Sequence, residues 1–474
     1  MHYSVQAVIA TVLLAMMVIP EISRTLYAAP GPDTKPRVIV LTDISNEPDD
    51  EESIVRFLVY SNEYDVEGLI ATTSCWLRDT TRVDLIQRNV NAYGQVRKNL
   101  LVHAEGFPEA ARLQDVIRVG QSGFGMLDVG PGRQTEGSRH IIEVVDRPDP
   151  RPVWVSVWGG ANTLAQALWD VKYTRSAEQL AEFVSKLRVY TISDQDDSGR
   201  WLRITFPDLY FIVSPSRVGG GEYQRSTWSG ISGDRFYDNG PWHRFELVDN
   251  PWLTKNIIKD HGPLGRLYPK HSVIMEGDTP SYLNLINNGL GSHLSPTYGG
   301  WGGRYRLFKS YAETRPIYTN DRDKVVAEDG SMYRSDQATI WRWREAFQYD
   351  FAARMDWCTS KEYSQANHNP IAVLGGVDGK GIVTLEANAG DTVRLTAEGS
   401  TDPDGDRIEQ SWFQYREAGT CREAVELFAT DGPVSGFVAP SVERECTVHV
   451  ILTVKDNGEP SLVSYRRAIV TVKP

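Results

Sequence analysis

With 474 residues the chain is long enough for two or three domains, and its 41% hydrophobic content supports a large core and excludes a disordered protein. A net charge of −12 argues against nucleic-acid binding through phosphate neutralisation. The 13 Trp and 21 Tyr suit carbohydrate stacking and an ordinary aromatic core equally.

Residues 1–29 read as a secretory signal. Val5 to Pro20 is almost wholly apolar, and Leu26-Tyr27-Ala28-Ala29 offers small residues for cleavage. The run is shorter than the roughly 20 residues a spanning helix needs. The expectation is a secreted, periplasmic or extracellular protein with no stable membrane insertion after cleavage. Export permits disulfides, and Cys421 and Cys446 lie in one β-rich region where they can pair. The pairing of Cys75 and Cys358 stays open, and no cysteine spacing resembles a zinc site.

Val38 to Leu41 is an apolar run that reads as a buried strand. An acidic loop follows it: Asp43, then Asp49, Asp50, Glu51 and Glu52 leading into a helix from Ser53 to Tyr60. Pro48 costs nothing at a first helical position. Acids in a first helical turn also complement the helix dipole. Asp43, however, sits directly after the strand, and four consecutive acids exceed what one helix end needs. In an open α/β sheet, ligands bind beyond the carboxyl ends of the strands. A hard divalent cation is the simplest partner for carboxylates crowded there.

Further along, Glu67 to Thr73 reads as a second strand, Val83 to Arg97 as a helix and Leu100 to Val102 as a short strand. Arg139 to Asp146 reads as a helix, Val153 to Trp158 as a strand, Asn162 to Val171 as a helix and Leu187 to Ile192 as a strand. This alternation predicts an α/β domain over 36–355, a mostly parallel sheet with helices on both faces. Its later part is rich in Gly, Trp, Tyr and Pro, as loops covering one end of the sheet would be. A linker is expected at 356–370. After it, at 371–474, turn-separated strands predict a small antiparallel sandwich of Ig/cadherin-like type. Its Gly399 to Asp406 turn carries three acids, as a calcium-binding or a solvated turn would.

Three further segments carry polar groups suited to chemistry. Trp158-Gly159-Gly160-Ala161-Asn162 and Ser193-Asp194-Gln195-Asp196-Asp197-Ser198-Gly199-Arg200-Trp201 both follow strands. Met275-Glu276-Gly277-Asp278-Thr279-Pro280-Ser281 is followed by Tyr298 to Tyr305, a Gly-rich stretch containing Trp301 and Arg304.

On these residues the large domain resembles the nucleoside hydrolase superfamily, in which a strand ends in an acidic run that holds calcium. Asp43 and Asp49-Asp50 match that run, Asn162 matches a position offering a backbone carbonyl to the metal, and Asp278 matches the late Asp. More closely, the chain resembles a secreted branch, the cellulose-binding, nucleoside-hydrolase-like proteins, which carry a C-terminal β-domain.

The resemblance implies a calcium site formed by Asp43, Asp50, Asn162 and Asp278. Asp43 would also take a proton from the attacking water, and Asp49 would accept a sugar hydroxyl. The acid assisting the leaving group is open among Asp196, Asp197 and Glu276. Trp76, Trp201 and Trp301 are candidates for a sugar platform. Arg304 is expected to pair with an active-site carboxylate or with a surface acid.

The sequence departs from the superfamily pattern at Leu41, at Cys75-Trp76 and at Gly277, and its Asp43–Asp49 loop is longer. Cys75-Trp76 stands where the superfamily has a ribose-contacting Gly-Asn. Gly277 stands where it has a proton-donating His. The implied function is therefore calcium-assisted hydrolysis of a glycosyl bond in a carbohydrate or glycoside. The alternatives are a non-catalytic carbohydrate-binding protein and an extracellular nucleoside N-ribohydrolase. Oligomeric state is not legible.

Overall fold

A computed structural model of the chain describes residues 35–474 apart from Asn46, 217–219, Tyr311 and Glu328, together with the backbone of Tyr27 and Ala28. The expected signal segment otherwise lies outside the described residues. Tyr27 and Ala28 pair antiparallel with Thr384 and Val383. No helix among the described residues is long and apolar enough to cross a membrane.

Eight strands form the large sheet: β1 Arg37–Thr42, β2 Asp65–Ala71, β3 Ile117–Val119, β4 Val153–Val157, β5 Leu187–Ser193, β6 Tyr210–Ser214, β7 Tyr305–Phe308 and β8 Ile317–Asn320. Their order is β3-β2-β1-β4-β5-β6-β8-β7, and every neighbouring pair is parallel except the last, β8 with β7. The order reverses between β1 and β4, so the loops that follow these two strands diverge and leave a crevice between them.

Successive β1 side chains feed different cores. Val38 and Val40 pack with helix α1 (Pro48–Val59) and α2 (Val83–His103), while Ile39 and Leu41 pack with α3 (Glu136–Asp146) and α4 (Asn162–Thr174). Burial on both faces explains why the strand reads as an unbroken apolar run. Pro48 occupies the first turn of α1, as expected.

Leu100 to Val102, expected as a strand, forms the last turn of α2. Leu100 is buried whereas Leu101 and Val102 are exposed, so only one residue of the run faces the core. A short apolar run does not by itself separate the two structures.

Helix α5 (Arg344–Trp357) closes the α/β part. The C-terminal region builds one sheet from β9 Val383–Asn388, β11 Glu409–Gln414, β13 Cys446–Lys455 and β14 Val463–Lys473. A two-stranded sheet joins β10 Thr392–Thr396 to β12 Val434–Val438. Val393, Leu395 and Phe437 from the small sheet share one core with Trp412, Val450 and Val470 from the larger. The sandwich is not wholly antiparallel, because β9 runs parallel to β14. Cys421 and Cys446 form a disulfide, while Cys75 and Cys358 are free thiols.

Candidate metal and carbohydrate site

The site lies where β1, β2, β4 and β5 end. Backbone and amide hydrogen bonds tie their loops together. Gly160 N donates to the Thr73 carbonyl at 2.8 Å, Cys75 N to the Gln195 carbonyl at 2.8 Å, and Gln195 Nε2 to the Trp158 carbonyl at 2.5 Å. Asp43, first after β1, is 5% exposed and accepts a hydrogen bond from the Ser74 hydroxyl. Asp49 and Asp50 open α1, and Asp50 accepts from the Thr42 hydroxyl. Asp278 reaches the same place from the loop before Pro280.

Among the described residues, Asp49, Asp50 and Asp278 bring one ligand oxygen each within 4.8 Å of one another. Asp43 stands beside this trio, close enough to raise the carboxyl of each of its members. Burial pushes Asp43 up to about 6. Burial, then Glu47 and Asp43, push Asp49 up to about 8. Asp50 and Asp278 rise well above the usual carboxylate range, first through burial and then through their acidic neighbours.

Buried oxygens without a hydrogen-bond partner mark the cluster: Asp43 Oδ1, Asp49 Oδ1 and Asp278 Oδ2. Burying such oxygens unpaired is costly, and a hard cation satisfies all of them together. The donor set therefore fits a divalent cation such as calcium.

Two glycines let the carboxylates approach the main chain. A Cβ on Gly159 would lie 2.3 Å from Asp43 Oδ1, and one on Gly160 would lie 2.4 Å from Asp196 Oδ2. Gly277 is packed less tightly, with its Cβ position 2.8 Å from Asp49 Oδ2. A side chain at this position, which carries a histidine in the superfamily, would have to displace the Asp49 carboxylate.

The other expected residues divide. Asp196 is buried, accepts from Ser198 N at 2.9 Å, and leaves Oδ2 unpaired. It lines an open cleft of about 710 Å³ with Cys75, Phe124, Arg200 and Ser216. Trp76 is 41% exposed on the loop after β2. Asp197 is exposed and accepts from Met126 N at 2.8 Å, which anchors a neighbouring loop.

The Asn162 side chain bonds to Thr72 Oγ1 (2.9 Å), Thr73 Oγ1 (3.0 Å) and the Gly123 carbonyl (2.8 Å). Asn162 is the first residue of α4. Asn162 therefore acts here as a brace between loops.

Four of the expected residues are engaged elsewhere. Glu276 is fully buried and faces inward. It pairs with Arg56 at 2.5 Å and accepts from Tyr268 (2.7 Å) and Thr279 (2.8 Å), so no oxygen is left for a sugar. Its φ of 54° lies in the left-handed region, a conformation this network holds next to Asp278. Arg304 pairs with Asp323 at 2.7 Å and with Asp321, away from the site. Trp301 is 2% exposed and belongs to the main core, so it offers no platform to the carboxylates. Trp201 likewise packs at the edge of the second core, against Phe206.

The hydroxyls of Thr42 and Ser74, which orient Asp50 and Asp43, were not foreseen. Their one signal is a small polar residue just after or at the end of a strand.

A family description, "Cellulose-binding Sde182, nucleoside hydrolase-like domain", matches residues 37–305, and "Cellulose-binding protein Sde0182, C-terminal domain" matches residues 392–472. A solved structure of a nucleoside hydrolase-related hypothetical protein from Saccharophagus degradans, described as associated with carbohydrate metabolism, is similar at 39% identity. The match covers 93% of this chain and 100% of that one, with a TM-score of 0.78. The effector protein XOO4466 is a distant likeness, at 11% identity over 60% of this chain and 88% of that one, with a TM-score of 0.30. Among curated proteins nothing matches. The residues matched and the extent of the Saccharophagus likeness show that the chain belongs to the cellulose-binding Sde182 family, with a nucleoside hydrolase-like domain and the family's own C-terminal domain.

Proposed function

We propose that the protein is an exported carbohydrate-directed hydrolase whose glycosyl-bond chemistry takes place at the Asp43–Asp278 cluster with a bound calcium ion. The observation that carries this reading is the set of unpaired, buried carboxylate oxygens at the strand-order reversal. The family's cellulose-binding description supports carbohydrate as the ligand class.

Asp49, Asp50 and Asp278 would hold the ion. A calcium ion there supplies positive charge that orders hydroxyl oxygens and favours ionisation of a water. Asp43 keeps Oδ1 free while Ser74 fixes Oδ2, so Asp43 can take a proton from a water aimed at an anomeric carbon. Asp196 is the remaining buried acid with a free oxygen beside the cleft. It is suited to give a proton to the leaving oxygen, since burial raises it to about 6.

A second reading is binding without cleavage. The locked Glu276 and the side-chain-free Gly277 favour it, because both withdraw proton donors from the centre. The test is a panel of glycans and nucleosides incubated with the full chain, with and without chelator, and read for retention and for released reducing sugar. Calcium-dependent release that Asp43→Asn abolishes supports hydrolysis. Full activity of Asp43→Asn would sink the base assignment, and retention without release would favour the second reading.

A further inference from the structure

A second cleft, of about 490 Å³, lies where the C-terminal region meets the large domain. It sits at the amino ends of the strands. Helices α1 and α2 each run back from the carboxyl end, so Tyr60, Asn62, Glu63 and His103, which line the cleft, face away from the Asp43–Asp278 cluster.

Its wall is assembled from three separate segments. His103, the last residue of α2, places Nδ1 3.0 Å from His368 Nε2. His368 Nδ1 lies 3.0 Å from an Asp404 oxygen, and the His368 main-chain N–H donates to Asp404 at 2.8 Å. The acidic turn of the β-domain is thereby tied to the helix end through the connecting segment. The same residues form an aromatic stack. His103 lies 5.6 Å from Trp357, and Tyr363 lies parallel to His368 at 3.6 Å between centroids. Tyr363 is backed by His368 on one face and is 40% exposed. A ring held this way is ready to stack on a ligand without first being ordered.

The charge of the lining is balanced. Glu63 and Asp350 are offset by Arg354 and Lys380, counting the histidines as neutral. Arg354 is spent on Glu63 (3.0 Å) and Asp350 (3.1 Å). Amides from Asn62, Asn288 and Asn369 complete the polar set, with one end of each already bonded, to Arg354, Leu290 N–H and Asp350 respectively. A charged ligand finds no surplus of the opposite sign here. An uncharged ligand with flat C–H faces and many hydroxyls finds an aromatic surface and amide partners.

We propose that this junction cleft is a second carbohydrate site, which takes a neutral oligosaccharide on Tyr363 independently of the carboxylate cluster. The proposal rests on the reading of the protein as carbohydrate-directed.

The test is calorimetric titration of the full chain with cellohexaose, using wild type, Tyr363→Ala, Tyr363→Phe and Asp50→Asn, each with calcium and with chelator. Tyr363→Ala should weaken binding at least tenfold and Tyr363→Phe by less than threefold. Asp50→Asn and chelator should remove only binding at the carboxylate cluster and leave the Tyr363-dependent component unchanged. Circular dichroism checks that each variant folds. Wild-type affinity in Tyr363→Ala, or loss of all binding in Asp50→Asn, overturns the junction site while leaving the carbohydrate reading standing. Absence of binding by wild type in both buffers overturns the site and that reading together.

Discussion

Two regions of this molecule bury carboxylates, and they treat them in opposite ways. Near the domain junction, Asp323 is fully buried and receives Arg304 at 2.7 Å, Arg342 at 2.9 Å and the Tyr415 hydroxyl at 2.6 Å. Burial pushes its carboxyl upward, but Arg342 and Arg304 outweigh this and hold it below the ordinary value. At the carboxyl end of the sheet, Asp43, Asp49, Asp50 and Asp278 are buried too, and among the described residues no cation of the protein's own is a hydrogen-bond partner of any of them. The first arrangement is complete in itself and serves structure. The second is complete only with something added, so missing compensation, rather than burial or acidity, marks the site.

The sharpest way to break the contrast is at Asp323. Asp323→Ala removes the acceptor shared by Arg342 and Arg304, of which only Arg304 keeps another acid, Asp321, and should cost about 3–5 kcal/mol, read by chemical denaturation. A loss under 1 kcal/mol would show that solvent already reaches the network.

Asp196 tests the other side of the contrast through pH. Burial raises its folded value from 3.8 to about 6. Between those values the folded protein holds a proton that the unfolded chain has released. Its contribution is therefore whole below pH 4 and is lost as pH rises through 6, by at most on the order of 3 kcal/mol. Asp196→Asn should flatten stability across that window, and an unchanged slope would refute the assignment.

The sequence made the α/β domain legible because β1 is apolar on both faces and its acids fall on the loop that follows. Asp43 and Asp50 could be proposed from the acidic strand end together with the family resemblance, and Asp278 through the resemblance alone. Glu276 could not be told apart from Asp278 by sequence, since what separates them is Arg56, 220 residues away. Which acid Arg304 meets was open for the same reason, as its partners Asp321 and Asp323 become neighbours only when β8 folds back on β7. The His103–His368–Asp404 contact spans two domains, and no local pattern announces it.

A smaller effect is expected at Gly159. Its Cβ position lies 2.3 Å from Asp43 Oδ1, so Gly159→Ala must displace that carboxylate or the loop. The expected cost is about 1–3 kcal/mol, with loss of calcium-dependent stabilisation in thermal melts. A variant that melts and responds to calcium as wild type does would show that the loop relaxes freely.

The smallest effect carries the most information, because its sign is opposite to that at Asp323. In chelator at pH 8, Asp50→Asn removes a carboxyl whose ionised form is made costly by burial and by the neighbouring Asp43, Asp49 and Glu47. An asparagine oxygen can still accept from the Thr42 hydroxyl. The metal-free variant should therefore gain on the order of 1 kcal/mol, a rise of roughly 1–2 °C in Tm for a domain of this size. With calcium present the order reverses, because wild type gains the free energy of binding and the variant lacks a ligand. Stabilisation by the same substitution in both buffers would mean that the carboxylates repel one another without ever being bridged. Destabilisation in both would place Asp50 with Asp323, as a structural acid whose partner is already within the protein.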